Sequence, residues 1–175
     1  MNKTEFANLL FGMTELDRND QAYLDAAEGW LELGNWREAN EELERITPQM
    51  RAHPFVLHTR YRVYAAAKRW EMAAEIAQSI CRDLPGIPSG FVYLAYSLHE
   101  MKRTKEARDV LLPVVDKFPN DHTMRYNLAC YCCQLGDRKE AWQWLEKAID
   151  LSVELRQAAL YDPDLESLWV DISEI

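Results

Sequence analysis

The chain is poor in the residues from which catalytic and membrane-crossing devices are built. Its six glycines, at 12, 29, 34, 86, 90 and 136, never gather into a GxxxxGK or GxGxxG loop, so no phosphate cradle is encoded. The four histidines, His53, His58, His99 and His122, include no HExxH pair, and no serine occupies a GxSxG elbow. Neither an enzyme nor a cofactor is therefore expected. No apolar run approaches the roughly 18 residues of a spanning helix, because charges interrupt every helix-like segment. Cysteine is too sparse to make a framework. Cys130, Cys132 and Cys133 crowd together and Cys81 stands apart, unlike the spacing of a disulfide-stapled secreted domain; the expected location is the reducing cytoplasm. Positive charge is also short. With 20 Lys+Arg against 29 Asp+Glu, a formal charge of −9 and a pI near 5.0, neither nucleic acid nor an anionic membrane is an expected partner.

What is present is globular and repetitive. A chain of 175 residues is long enough to bury about 70% of its unfolded surface as one unit, and a single domain is expected over 1–175. The stretch 1–13 carries one Lys3, and Glu5 precedes a short apolar run with no small-residue cleavage site after it; it reads as mature structure. Ala39, Ala73, Ala107 and Ala141 then recur at one constant interval, in the phrases GNWREA, KRWEMA, KRTKEA and GDRKEA. A fixed period of this length is the mark of a stacked-repeat architecture.

Each unit divides into two helices. Counted from Asp20, Pro54, Pro88 and His122, places 4, 7, 8 and 11 read Tyr23, Ala26, Ala27 and Trp30 in the first unit and Leu57, Arg60, Tyr61 and Tyr64 in the second. The third unit has Phe91, Leu94, Ala95 and Leu98, and the fourth Arg125, Leu128, Ala129 and Cys132. That spacing makes one helix face, with Arg60 and Arg125 expected to snorkel at its edge. Places 20, 24 and 27 (Ala39, Leu43, Ile46; Ala73, Ala77, Ile80; Ala107, Leu111, Val114; Ala141, Leu145, Ala148) make a second. Between them Gly34-Asn35, Lys68-Arg69, Lys102-Arg103 and Gly136-Asp137 leave room only for tight turns. Pro48, Pro85 and Pro119 end the second helices. Small residues at places 8 and 20 let backbones approach closely. Tyr61 at place 8 is expected to loosen or tilt the second unit.

The flanks fall outside this register. Residues 5–16 place Phe6, Leu9, Leu10, Met13 and Leu16 along one helical stripe, expected either to cap the stack or to fold back into its groove. Residues 153–160 and 163–172 read as two short helices with Ser152 and Asp162 as N-caps. Leu165, Leu168 and Trp169 would cover the last unit, and Asp162, Asp164, Glu166 and Asp171 would face water.

On these residues, and above all YNLACYCCQLGDRKEAWQWLEKAIDL at 126–151, the chain resembles the tetratricopeptide repeat family, which wants small residues at places 8 and 20 and proline near place 32. It departs in the lysines at 68 and 102, where glycine is usual. The resemblance implies an all-α, right-handed helix-turn-helix solenoid. The implied division is an N-terminal capping helix at 1–19, repeats at 20–53, 54–87, 88–121 and 122–151, and C-terminal capping helices at 152–175. It also implies a concave face lined by the first helices, where Phe55, His58, Arg62, Tyr93, Tyr96, His99, Tyr126 and Asn127 become the candidate peptide contacts. The tyrosines lead, since each offers a rigid apolar body and a hydroxyl. Of the family's carboxylate clamp for heat-shock chaperones only Asn127 matches, which argues against that partner. Cys130 and Cys133 form a CxxC, but mid-helix and without a second pair; they read as apolar thiols rather than metal ligands. The expected function is a noncatalytic scaffold or adaptor for a protein or peptide partner. The alternatives are a self-assembling protein, as a homodimer with the groove idle or filled by its own N-terminal helix, and a bacterial secretion chaperone.

Overall fold

The computed structural model describes residues 15–174. The expected leading helix lies outside the described residues except for Glu15 and Leu16, which precede the first described helix without helical structure. Secondary structure among the described residues is entirely helical. Four helix pairs come first: α1 (Arg18–Glu32) with α2 (Trp36–Arg45), α3 (Pro54–Ala66) with α4 (Trp70–Asp83), α5 (Pro88–Glu100) with α6 (Thr104–Leu111), and α7 (His122–Gln134) with α8 (Arg138–Leu151). Each pair packs tightly on itself, and the second helix of one pair rests on the first of the next. The result is an α-α superhelix of helical repeats.

The four turns inside the pairs are one structure repeated. In each, the second residue after the first helix takes a left-handed backbone: Gly34 (φ 74°), Lys68 (54°), Lys102 (62°) and Gly136 (84°). Its N–H donates three residues back, and the next N–H donates five back: Asn35 to Trp30, Arg69 to Tyr64, Arg103 to Leu98 and Asp137 to Cys132, at 2.8–2.9 Å. This pair of hydrogen bonds satisfies the last carbonyls of the helix. Glycine enters that region freely, whereas a residue with a Cβ is strained there by about 1–2 kcal/mol. The two lysine turns lack a second support as well. Asn35 and Asp137 accept the N–H of Glu38 (3.4 Å) and Glu140 (3.0 Å), while Arg69 and Arg103 provide no side-chain cap. Lys68→Gly and Lys102→Gly should therefore each raise stability by about 1 kcal/mol, the gain being trimmed by the entropy of glycine in the unfolded chain. Denaturant midpoints that fail to rise would show the strain to be absent.

The alanine ladder is buried throughout. Ala39, Ala73, Ala107 and Ala141 are all 0% exposed, as are Ala27, Ala95 and Ala129 at place 8. The fourth member of that set, Tyr61, is buried too, but it occupies the space differently. α1 and α3 approach closely, as do α5 and α7, whereas α3 and α5 stand farther apart. The stacked rings of Tyr61 and Tyr93, with centroids 3.9 Å apart at 8°, lie between them. The expected loosening is thus a wedge filled by aromatic rings.

Several other expectations change. Arg60 and Arg125 do not snorkel at the edge. Each is 8% exposed because its guanidinium satisfies groups at the preceding unit's end: Arg60 donates to Glu44 (2.5 Å) and to the Leu43 carbonyl, and Arg125 to the carbonyls of Phe118 and Asp121 at 2.9 Å. α1 starts earlier than expected, since Asp17 caps it. This leaves Asp20 free to turn inward, where it is 1% exposed and accepts the N–H (2.9 Å) and hydroxyl (2.7 Å) of Thr47. α6 stops at Leu111, because Pro113 has no N–H and its ring would clash with the preceding turn. Val114 stays buried on a short 3-10 connection.

After α8 come α9 (Glu154–Ala159), a 3-10 helix (Pro163–Leu168) and α10 (Trp169–Ser173). Ser152 does not cap α9; its hydroxyl bonds the Glu154 carboxylate instead. Leu165, Leu168 and Ile172 are 0–1% exposed and complete the core around Ala129, Leu145 and Ala159. The expected cover of the last pair is present.

Candidate functional site

The first helices α3, α5 and α7 carry the eight candidate contacts, and, Phe55 apart, the structure separates them into three environments. At the α3–α5 wedge, His58 hydrogen-bonds the Tyr93 hydroxyl, their rings 5.2 Å apart. The Tyr61 hydroxyl donates to the Tyr93 carbonyl at 3.2 Å, and Ser97 donates to the same oxygen at 2.9 Å. Tyr96 is 41% exposed and meets the edge of Trp70 at 5.6 Å. Arg62 is half-buried close enough for its charge to act on both His58 and Tyr93. The wedge therefore combines a rigid aromatic stack, one exposed tyrosine and a cation. Phe55 lies outside it: it is half-buried against Ile87 and stacks with His53 at 5.5 Å, so it serves the connection between units.

Burial sets the protonation of this region. His58 is pushed down to about 4, mainly by desolvation and then by the Arg62 charge, so its ring is neutral near pH 7. Tyr61 is pushed up to about 12 and Tyr93 higher still, in both cases chiefly by burial; both keep their protons. A histidine whose folded pKa lies below its unfolded value near 6.5 costs nothing above pH 6.5. As the pH falls towards 4 the unfolded chain takes up the proton first, and stability is lost. The full loss is on the order of 3 kcal/mol as an upper bound. Between pH 7 and 5, wild type should thus lose more stability than His58→Gln, compared through denaturant midpoints. Parallel slopes would mean that His58 titrates normally.

The second environment, at the C-terminal end of the inner face, is covered by the chain itself. Tyr126 donates to Asp162 at 2.8 Å, and the Cys130 thiol donates to the same oxygen at 3.7 Å. His99 binds Thr104 with Nδ1 (3.0 Å) and Asp164 with Nε2 (2.9 Å). Gln134 donates to the Asp164 carbonyl at 3.1 Å, and Cys133 shares a 3.1 Å contact with Ser167. The 3-10 helix thus lies across α7, and Asp162 and Asp164 do not face water as expected. Asp162 still caps that helix through the N–H of Asp164, but its second oxygen reaches the groove, because a one-turn cap places both aspartates on the side facing α7. Asn127, half-buried on α7, makes up the third environment.

Metal chemistry has one set of candidate donors among the described residues, Cys130, Asp162 and Asp164, with ligand atoms within 4.8 Å of one another. Burial pushes the Cys130 thiol well above its ordinary range, and both carboxylates already accept hydrogen bonds. The geometry is that of a bonded network in which a cation would have to displace Tyr126 and His99. All four cysteines are free thiols. Sequence reasoning missed Tyr61, which reads only as a packing fault, and Asp162 and Asp164, which read as solvated. A tyrosine in a small-residue slot, followed by Tyr93 on the next first helix, was the available signal for the first.

Comparison with known proteins bears on the fold. A tetratricopeptide repeat family model matches residues 90–121. The solved tetratricopeptide protein TTC0263 of Thermus thermophilus superposes with a TM-score of 0.72 at 18% identity, over 87% of this chain and 82% of that one. MamA of Desulfovibrio magneticus, residues 41 to the end, gives 0.69 at 14%, over 79% and 78%. A further MamA structure gives 0.70 at 13%, over 89% and 87%. No curated protein matches the sequence.

Proposed function

Given that the chain is a tetratricopeptide-repeat protein, we propose that it is a noncatalytic scaffold that holds a peptide segment of a protein partner on its inner face, at the α3–α5 wedge. Such folds present surfaces rather than reaction centres, and the coarser role of protein interaction follows from the fold. The observation that carries the finer reading is the uneven closure of the inner face. Over α7 the tyrosine and both CxxC cysteines are already bonded to the chain's own C-terminal segment. At the wedge, Tyr96 is 41% exposed against the edge of Trp70, on the same helix as the stacked Tyr93, and half-buried Arg62 lies within charge range of Tyr93.

Rigid aromatic anchors lose little entropy on binding, and a half-buried arginine favours a carboxylate on the ligand. The partner segment is therefore aromatic or aliphatic with an acidic residue nearby. Affinity comes mainly from apolar burial at Tyr96 and Trp70, with Arg62 setting orientation. The test is recovery of partners from native lysate by wild type, by a Tyr96→Ala/Arg62→Ala variant and by Glu146→Ala on the outer helix α8. Loss of the same partners from the double variant alone is expected. Equal recovery by all three would sink the reading.

A further inference from the structure

Because the helix pairs stack one on the next, the turns inside them line one edge of the superhelix. The charge of that edge is opposite to the charge of the molecule. The segments 34–39, 68–73, 102–107 and 136–141 hold eight of the 20 Lys+Arg and five of the 29 Asp+Glu, so they carry +3 while the rest of the chain carries −12. Arg103 and Arg138 are paired, with Glu106 and Asp171. The other six, Arg37, Lys68, Arg69, Lys102, Lys105 and Lys139, are exposed and make no ion pair among the described residues.

Local stability does not account for these cations. Lys68 and Lys102 hold the left-handed backbone, which glycine enters without strain. Arg37, Lys105 and Lys139 are each the second residue of a second helix, where the helix dipole disfavours positive charge. Arg37 and Arg69 both stand over the indole of Trp36, at 5.1 and 5.6 Å from its centroid, so two like charges share one ring. With Asn40, Val63 and Tyr64 they line a notch of about 250 Å³. Glu41 lines it too but pairs with neither guanidinium. Cations placed against their own helix ends are complemented by an anion from outside the chain.

The edge runs into the wedge. Arg69 directly precedes Trp70, whose ring meets Tyr96 at 5.6 Å. Leu33, Met72 and Leu135 add exposed apolar side chains along the edge, at 76%, 37% and 41%. An extended chain rises about 3.3 Å per residue and neighbouring helices pack about 8–10 Å apart, so an acidic residue at about every third position meets successive turns. A nucleic acid fits less well, since its continuous phosphate charge must pass a remainder of the chain that carries −12.

We propose that the turn edge binds an extended acidic segment of the protein partner, continuous with the apolar residues held at the wedge, with Arg37 and Arg69 on Trp36 as its main carboxylate contact. The proposal rests on the reading of the wedge as the peptide site and adds the chemistry of what flanks the bound anchor. Lys68, Lys102 and Lys105 continue the contact along the edge, and the preference for an acidic flank comes from charge rather than from burial.

Fluorescence anisotropy on the full chain tests it with two labelled peptides, one joining a central Trp-Leu pair to glutamates at every third position, the other with glutamine in their place. Wild type should bind the glutamate peptide about 10-fold more tightly, a preference that shrinks as salt rises. Arg37→Glu/Arg69→Glu should remove the preference without lowering the denaturant midpoint. Lys117→Glu/Lys147→Glu, the same change of net charge at exposed positions elsewhere, should keep it. Equal binding of the two peptides by wild type overturns the proposal, as does a preference that both double variants lose alike. A midpoint that falls together with the preference makes the two arginines structural and overturns it as well. An oligothymidylate that binds more tightly than the glutamate peptide assigns the edge to nucleic acid. Light scattering that shows an oligomer dissolved by Arg37→Glu/Arg69→Glu assigns it to a second copy, and either result overturns the acidic peptide. The wedge reading fails separately, if Tyr96→Ala leaves the affinity for both peptides unchanged while the glutamate preference persists. Wild type that binds neither peptide overturns both.

Discussion

Ala141→Leu should lower the stability of the chain by about 3 kcal/mol. The side chain it replaces is 0% exposed and sits where α8 presses on α7, so three added carbons must force either off-rotamer side chains or a shift of one helix. Overfilling of this kind costs about 1–3 kcal/mol, and this site belongs at the upper end because the contact is between helices rather than against a flexible rim. One turn on, Leu145→Ala does the opposite. It empties a fully buried position, and transfer and cavity terms together cost about 3–5 kcal/mol. The control is Ala158→Leu, the same substitution as the first at an exposed position on α9, which should change stability by no more than about 0.5 kcal/mol. Denaturant midpoints check all three, with a slope that stays constant. If Ala141→Leu matches Ala158→Leu, the rungs are not where helix backbones meet.

Asp162→Ala should release the C-terminal segment while leaving the four helix pairs folded. One side chain holds the segment from two directions: it caps the 3-10 helix through Asp164, and it accepts the Tyr126 hydroxyl and the Cys130 thiol. Loss of the cap costs about 1 kcal/mol, and loss of a hydrogen bond to a carboxylate about 1.5–3 kcal/mol. The side chain is partly exposed, so about 2–3 kcal/mol is expected in total, and the loss is local because repeat folds respond largely through nearest neighbours. Amide exchange across 163–173 should accelerate by about 30- to 100-fold, with α1–α5 unchanged. Glu166→Ala, on an exposed side chain of the same turn, should accelerate nothing. Uniform acceleration across the chain would show that the segment and the helix pairs unfold together.

The sequence made the two-helix unit legible because close helix contact leaves a trace in side-chain size. Alanines at 39, 73, 107 and 141 recur at a constant interval because each occupies the same contact, and the fold reproduces that contact four times. The cover of the last pair by Leu165 and Leu168 was legible for a similar reason, since an apolar pair beyond the last rung has one surface to bury against. Pro113 was visible but unread; a helix-breaking residue inside the third unit's second helix shortens α6 to eight residues, while Val114 keeps its buried place.

Where partners are far apart in the chain, the pattern carried little. The periodicity marks Tyr61 as an exception, but only the spacing between α3 and α5 shows that its ring fills a wedge with Tyr93 of the following unit. Asp162 and Asp164 are polar residues at a turn, and local sequence favours solvent for them. Tyr126 and His99, 36 and 65 residues away, draw them onto the inner face. Arg60 and Arg125 follow the same logic, since the groups that receive their guanidinium bonds belong to the end of the preceding unit.

By itself, then, the sequence determined the scaffold: the number of helix pairs, their turns and the positions of backbone contact, all written in local spacing and side-chain volume. Only the tertiary structure decided which half of the inner face is closed by the C-terminal segment, because that depends on hydrogen bonds between residues that no period relates. It also decided that lysine takes the left-handed backbone at 68 and 102. The packing of two helices over a three-residue turn requires that conformation, whatever the side chain would prefer.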